Sequence, residues 1–527
     1  MISILTGVLL VTWLLASAGK SQRNVHMLQQ NSYRNERYIR WMKGQKGKAF
    51  PARDYVLLLG GILSLFGWHT VAIVALSVLF LLFFLAKPKS IEKLKLAYTP
   101  RVKRLFTTIA ILHVIAGGVA FWFAFSDKIL LAILIVVLVY MLNFFIVIAA
   151  NMINKPIETS INNHYFNDAK RILQSSNNLK VIGITGSYGK TSTKHILHSV
   201  LASHFNVLMT PESYNTKLGV TITVRRDLKP YHDICIAEMG AKQKGDIQEI
   251  CDLVEQKYGV LTSIGEQHLE TFKTLDTIKR TKFELIDSLP QDGIAFLNKD
   301  DENIMATRTD NPCRKVYYGI DADGLDYKAT DITYHSKGSS FTLVMSNGER
   351  VEFSTKLLGK HNIYNILSAI AVGVEFGVPM SKIVKAVRQL NPVSHRLEIR
   401  RTNSNLTIID DSFNSNPVGS KMAVDVLGYM DEYKVLITPG MVELGEKQYE
   451  LNKAFAEHAA TVCDYIVLVG EKQTIPLQDG LKAVGYPESQ YKVVKNLQEA
   501  LVIMHELSAR QKTVVLLEND LPDLFNE

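Results

Sequence analysis

Apolar residues crowd into four stretches within the first 150 positions, at 2–18, 55–86, 105–125 and 129–150. From Leu179 onward the pattern changes to short apolar runs alternating with amphipathic helical patterns. A bilayer core of ~30 Å takes about 20 helical residues. The first, third and fourth stretches therefore each predict one crossing. The second is too long for one crossing and short for two, with Gly67-Trp68-His69 as a turn; a re-entrant hairpin is its variant. Five crossings with the N-terminus outside are expected. In the later part, runs at 181–184, 234–237, 258–261 and 294–297 read as buried strands. A second series begins after Asn391-Pro392-Val393-Ser394, at 407–409, 435–437, 465–469 and 513–517. Strand and helix patterns in alternation predict an α/β architecture. The expected organisation is a transmembrane region over 1–150 and a short linker over 151–177. A central nucleotide-binding domain follows over 178–393, then a smaller, doubly wound Rossmann-like domain over 394–527. The cleft between these last two is the expected site.

Charge sharpens this picture. The chain has 527 residues and a formal net charge of +8, which taken alone would suggest nucleic acid. Residues 1–150, however, hold seventeen Lys and Arg against four acids, so the remainder is net acidic and a poor nucleic-acid binder. The basic residues cluster at 20–53 and 87–104, while only Asp127-Lys128 separates the last two apolar stretches. The positive-inside rule puts both basic loops in the cytoplasm. Everything after Asn151 is then expected in the cytoplasm of a multi-pass plasma-membrane protein. Ala16-Ser17-Ala18 has the small residues of a leader-cleavage site, but no Lys or Arg precedes the apolar run, the pattern of an anchor. Cys235, Cys251, Cys313 and Cys463 form no C-x-x-C pair, as expected of reduced cytosolic thiols.

Residues 183–192, Gly-Ile-Thr-Gly-Ser-Tyr-Gly-Lys-Thr-Ser, lie between an apolar strand and a helical pattern. Gly186 and Gly189 free the backbone N–H groups around Ser187 to converge on phosphate oxygens. The helix N-terminus adds positive potential, and Lys190 adds a full charge. The hydroxyls of Thr191 and Ser192 follow at once, and Thr191 is placed to ligate the Mg²⁺ that accompanies a nucleoside triphosphate. A strand–glycine turn–helix series of this kind binds ATP or GTP. Its spacing departs from G-x-x-x-x-G-K-[ST], since Ile184 stands where the first glycine would fall. Two further strand ends carry chemistry. Glu238 closes one apolar run and His268 follows the next, so a carboxylate and an imidazole face the crevice where a P-loop would hold its cation.

The short form T-G-x-x-G-K-T resembles the loop of the Mur ligases, ATP-dependent amide-forming enzymes of cell-wall precursor synthesis. Further along stand Glu238-Met239-Gly240-Ala241, Gly265-Glu266-Gln267-His268-Leu269-Glu270, Lys282-Phe283-Glu284, Gly359-Lys360-His361-Asn362 with Asn365, Ser394-His395-Arg396-Leu397-Glu398, Asp410-Asp411-Ser412-Phe413-Asn414-Ser415-Asn416-Pro417 and Pro439-Gly440-Met441-Val442-Glu443-Leu444-Gly445. Within the family these are most similar to the branch that adds D-alanyl-D-alanine to a UDP-muramoyl tripeptide, and the resemblance covers roughly 180–527. It implies that Thr191, Glu238 and His268 hold Mg²⁺, and that Lys282 is the lysine that many relatives carbamylate with CO₂ to ligate a second Mg²⁺. It also implies that Asn362 and Asn365 contact the base, Arg396 the phosphates and Asp411 the ribose of ATP. The implied reaction activates a carboxylate as an acyl phosphate, with Lys190, Lys282, His268 and Arg396 as the catalytic set. Its partners would be a peptide or amino-acid donor and a UDP- or lipid-linked cell-wall precursor acceptor. Two departures stand out. Phe413 replaces the family's usual tyrosine, and membrane helices occupy the place of the domain that grips the UDP-sugar. A membrane-bound poly-γ-glutamate synthetase-like ligase and an ATP-binding scaffold without ligation remain as alternatives.

Overall fold

The computed structural model describes residues 2–45, 47, 50–86, 95–176, 178–212, 214–335, 338–401, 405–412 and 415–520. They form two compact units, one up to Asn163 and one from His164.

The first unit is helical. Its helices are Ile2–Gln30, Asn35–Gly44, Leu58–Leu65, His69–Leu85, Pro100–Phe125, Ile129–Met141 and the start of Asn143–Gln174. Trp13, Leu76, Phe80, Ile133 and Tyr140 fill its core. Only Ile2–Gln30 and Pro100–Phe125 are long and apolar enough to cross a membrane among the described residues. The pair Ile129–Met141 and Asn143–Gln174, bent by 73°, makes a third if it counts as one span. By length and composition, then, two or three helices suit a crossing where the sequence suggested five. The stretch 55–86 breaks at Phe66–Trp68 into helices of 8 and 17 residues, about 12 and 26 Å long at 1.5 Å per residue. The shorter cannot span ~30 Å, and a bond of 2.7 Å between Ser64 Oγ and His69 Nδ1 ties the break. Several polar groups inside the unit are paired. Lys20 Nζ meets Asp54 Oδ2 at 2.6 Å, and Asn143 accepts from Asn24 at 2.8 Å and donates to Ser21 at 2.9 Å. Pairing of this kind offsets the cost of taking such groups out of water.

The expected linker is helical as far as Gln174. Phe166, Ala169, Ile172 and Leu173 share one face at helical spacing, and that face joins a core of the second unit. Beyond it, a nine-stranded sheet runs in the order β2 (Val207–Met209), β3 (Ile234–Glu238), β1 (Lys180–Thr185), β4 (Tyr258–Leu261), β5 (Ile294–Asn298), β6 (Arg314–Gly319), β7 (Tyr327–His335), β8 (Gly338–Met345) and β9 (Arg350–Thr355). Pairing is parallel from β2 to β7 and antiparallel from β7 to β9. Parallel strands covered on both faces must be apolar throughout, and β3 is buried at every position. A six-stranded sheet follows in the order β10 (Glu398–Arg401), β11 (Leu406–Asp411), β15 (Thr513–Glu518), β12 (Tyr433–Thr438), β13 (Tyr465–Val469) and β14 (Tyr491–Val494). It is parallel except for the β10–β11 pair, and Asn391–Ser394 falls between the two sheets. The four cysteines lie singly in these cores, buried and unpaired, and burial pushes the Cys235 and Cys251 thiols up to about 12.

Candidate active site

β1 ends at Thr185, and the chain turns through Gly186–Gly189 into the helix Lys190–Leu201. The turn demands glycine twice. A Cβ on Gly186 would stand 2.0 Å from Thr262 Oγ1. Gly189 has φ +81°, and its Cβ would meet Asn365 Oδ1 at 2.7 Å. Ser187 both donates to the Gly265 carbonyl and accepts from its N–H, each at 2.9 Å, which pins the loop to the segment after β4. Lys190 curls over this cradle, its Nζ donating to the Gly186 carbonyl at 2.7 Å and the Ser187 carbonyl at 3.1 Å. Burial brings its pKa down to about 8, against an upward pull from Glu238, and Arg396 adds to the fall.

Glu238, the last residue of β3, is fully buried and collects polar partners. Thr191 Oγ1 and Asn215 Nδ2 each donate to Oε1 at 3.1 Å. Lys194 Nζ lies 2.9 Å from Oε2 in an ion pair with no exposure on either side, and it also donates to the Glu212 carbonyl at 2.5 Å. Burial raises the Glu238 carboxyl, but Lys194 and then Lys190 outweigh it, so the group sits below its ordinary value. Lys194 is a site residue that the motif reading passed over. The signal was present: it follows Lys190 by four residues, so both face the same strand end.

The other two expected metal ligands are His268 and Lys282. His268 has φ 52°, and its Nδ1 lies 2.6 Å from Glu443 Oε2 of the C-terminal domain. Burial holds this imidazole below its usual range despite the carboxylate. Lys282, on the helix Leu275–Asp287, is 3% exposed. Burial and then the Lys190 charge hold its amine well below the usual lysine value. Among the described residues no group of three or more His, Cys, Asp or Glu could hold a metal ion. Thr191 and Glu238 are hard oxygen donors beside the cradle. They fit Mg²⁺, which takes few protein ligands and completes its shell with phosphate and water.

The C-terminal domain supplies the other wall. Burial lowers the Arg396 guanidinium, with Asp411 and Glu238 pulling it back. Asp411, the last residue of β11, accepts from the Leu397 N–H at 3.2 Å. Burial pushes its carboxyl up to about 7, Arg396 opposing and Glu518 adding. The helix Lys360–Glu375 lies between, where Asn365 Oδ1 accepts from Thr193 Oγ1 at 3.1 Å and Asn362 Nδ2 donates to the Leu358 carbonyl at 2.8 Å. Together Gly189, Ser192, Asn362, Asn365, Arg396 and Asp411 line a cavity of about 310 Å³, into which no Lys282 or His268 projects. Phe413 and Asn414 lie outside the described residues.

Comparison with known proteins agrees with this architecture. Residues 184–373 match the Mur ligase middle domain and residues 395–518 the Mur ligase glutamate ligase domain. The UDP-N-acetylmuramoyl-tripeptide–D-alanyl-D-alanine ligase of Bacillus subtilis is 32% identical over 276 residues, covering 52% of this chain and 59% of that protein. The Escherichia coli ligase of the same name is 32% identical over 295 residues, covering 56% and 65%. The chain thus spans about three fifths of the length of these curated relatives. Among solved structures, MurF from Acinetobacter baumannii superposes with a TM-score of 0.62 at 25% identity, covering 69% of this chain and 78% of that one. Thermotoga maritima MurF in complex with ADP shares the fold with a TM-score of 0.61 at 23% identity.

Proposed function

The chain belongs to the Mur ligase family, and from that premise we propose that it is an ATP-dependent amide ligase of cell-wall precursor synthesis, of the kind that adds D-alanyl-D-alanine or a similar donor. One observation carries the reading: Lys190 and Glu238 of the central domain are charge neighbours of Arg396, which lines one cavity with Gly189, Ser192 and Asp411. In the reaction an acceptor carboxylate oxygen attacks the γ-phosphorus of ATP, the bond to the β-phosphate oxygen breaks, and ADP departs. The donor amine then attacks the acyl carbon and gives up a proton, and the C–O bond to phosphate breaks to leave the amide. Lys190 and Arg396 set positive charge against the moving phosphoryl group. Asp411 accepts from the ribose hydroxyls, and Asn362 with Asn365 borders the base. Thr191 and Glu238 would hold Mg²⁺, which supplies charge screening among the phosphate oxygens. His268 enters through Glu443. Burial and the Lys190 charge hold the Lys282 amine well below the usual lysine value, which favours the uncharged form that adds CO₂ to give an anionic carbamate suited to a second cation.

We also place the chain at the plasma membrane. Ile2–Gln30, Pro100–Phe125 and the bent pair give three crossings, with the hairpin 55–86 re-entering from the cytoplasmic side. Both basic loops and all residues beyond Asn151 are then cytoplasmic, where ATP is. Outward-facing Leu65, Phe66, Val114, Trp122 and Phe125 suit a lipid environment.

The test is phosphate release from ATP by the full chain in detergent, screened across UDP-muramoyl peptides, lipid-linked precursors and dipeptides. The expected result is release that requires both acceptor and donor, with an amide product; release indifferent to both would leave only the scaffold reading. Lys282→Ala is expected to lower amide formation far more than ATP affinity, with partial rescue by formate or acetate. Normal ligation by that variant would remove the two-metal scheme.

A further inference from the structure

A second, larger cleft of about 1180 Å³ begins at the phosphate cradle and runs along the outer face of the helix Lys190–Leu201. It shares Ser192, Asn362, Arg396 and Leu397 with the nucleotide cavity but extends away from it. Its opposite wall is the helix Met380–Gln389 and the segment that follows. At the far end Lys382 Nζ donates to the Ser203 carbonyl at 3.0 Å, so the groove follows the cradle helix from Thr191 to Ser203. Twelve residues at 1.5 Å make that ~18 Å.

The electrostatics of this groove are one-sided. Lys356, Lys382 and Lys385 line it, all exposed, together with Arg396; among the described residues the only acid on its wall is Glu212. None of the three lysines meets a carboxylate among the described residues: Lys356 donates to Asn391 Oδ1 at 3.1 Å, and Lys382 is also 3.3 Å from His204 Nδ1. Burial holds His195 down to about 4 and His198 below its usual value, so the positive field comes from the ammonium groups. Like charges gathered in one concave site repel each other and focus field toward an incoming anion.

We propose that this groove seats the carboxylate-bearing substrate, with a diphosphate against Lys382 and Lys385 and the reacting carboxylate at the Thr191 end. The proposal rests on the ligase reading above and identifies where the substrate's carrier is held. Lys382 and Lys385 stand three residues apart on one helix face, a spacing that two linked phosphates bridge. A polycarboxylate peptide would need cations along the whole path, yet the middle of the groove is walled by Ile196, Leu358, Ala386 and Leu390. Those apolar walls suit a sugar ring and short peptide, and ~18 Å accommodates a sugar plus a few extended residues at ~3.5 Å each. A soluble nucleotide and a polyprenyl anchor would present the same diphosphate.

Equilibrium binding to the full chain in detergent, with the nucleotide cavity saturated by a non-hydrolysable ATP analogue, tests this. The probes are a UDP-muramoyl peptide, a polyprenyl-diphosphate muramoyl peptide, the same muramoyl peptide without phosphate, and oligo-γ-glutamate. At least one diphosphate probe should bind tenfold or more tightly than the phosphate-free peptide, the gap shrinking at high salt. Which diphosphate probe binds tells the carriers apart. Lys382→Glu with Lys385→Glu should abolish the gap while binding of the ATP analogue stays normal, and the milder Lys382→Gln with Lys385→Gln should narrow it. Equal affinity with and without diphosphate, a gap that survives both variants, or preference for oligo-γ-glutamate would each overturn the proposal. Because binding is read directly, a failure of ligation counts against the ligase reading and leaves this result independent.

Discussion

At Glu238 a single carboxylate is shared by a hydroxyl, an amide and a buried lysine. Removing one member of a buried ion pair leaves an uncompensated charge and typically costs ~3–5 kcal/mol. Lys194→Met should therefore lower the thermal midpoint of the ligase unit markedly, and adding Glu238→Gln should recover part of that loss. If Lys194→Met melts like the parent, the pair does not hold the strand end. Asp411 offers a pH handle. With its carboxyl raised to about 7, it is mostly protonated below that value and ionised above it. Only the ionised form accepts from both ribose hydroxyls, so ATP affinity should rise as pH passes upward through about 7. Asp411→Asn should flatten that profile in a nucleotide titration, and an unchanged profile would refute the assignment. Linkage runs the opposite way for the unliganded fold. The native state holds the extra proton between the ordinary 3.8 and about 7, so stability from this group declines across that window as pH rises. The charges of this site were legible in the sequence wherever they closed a strand or followed the glycine turn. Lys194 was legible only through its four-residue spacing from Lys190, and Glu443 was not, because its role depends on which distant loop the fold brings to His268.

Among the elements, the buried parallel strands were the most legible, since strands covered on both faces read as unbroken apolar runs; β4 and β13 coincide with runs read directly from the chain. The helix ending at Gln174 was hidden because Asn162, Asn163 and His164 interrupt its apolar pattern just before Phe166 begins the buried face. The stretch 55–86 was ambiguous from length alone, and the structure breaks it at Phe66–Trp68 into two helices. The cradle itself makes a sharp demand on its glycines. Gly186→Ala would force its methyl onto Thr262 Oγ1, and overpacking of this kind typically costs ~1–3 kcal/mol. ADP affinity should fall at least tenfold in that variant while the far-ultraviolet circular dichroism keeps its shape. Wild-type affinity would mean the loop has slack that the structure does not show.

For the whole molecule the sharpest expectation is topological. If the proposed topology of three crossings and a re-entrant hairpin holds, a reporter fused after Asn151 should be active only on the cytoplasmic side. One fused within the turn between Pro100–Phe125 and Ile129–Met141 should be active only outside. A reversed pair of signals would put the phosphate cradle away from ATP and sink the proposed function with it. The four native thiols, each enclosed in a core and held unreactive by that enclosure, make the experiment simpler than a fusion. Toward a membrane-impermeant maleimide the folded chain should behave as though it contained no cysteine at all. A single cysteine written into Asp127–Lys128, or onto the exposed face of Met380–Gln389, would then be the only group to take the label. Sidedness at the membrane and occupancy of the lysine groove could both be read in the otherwise natural protein.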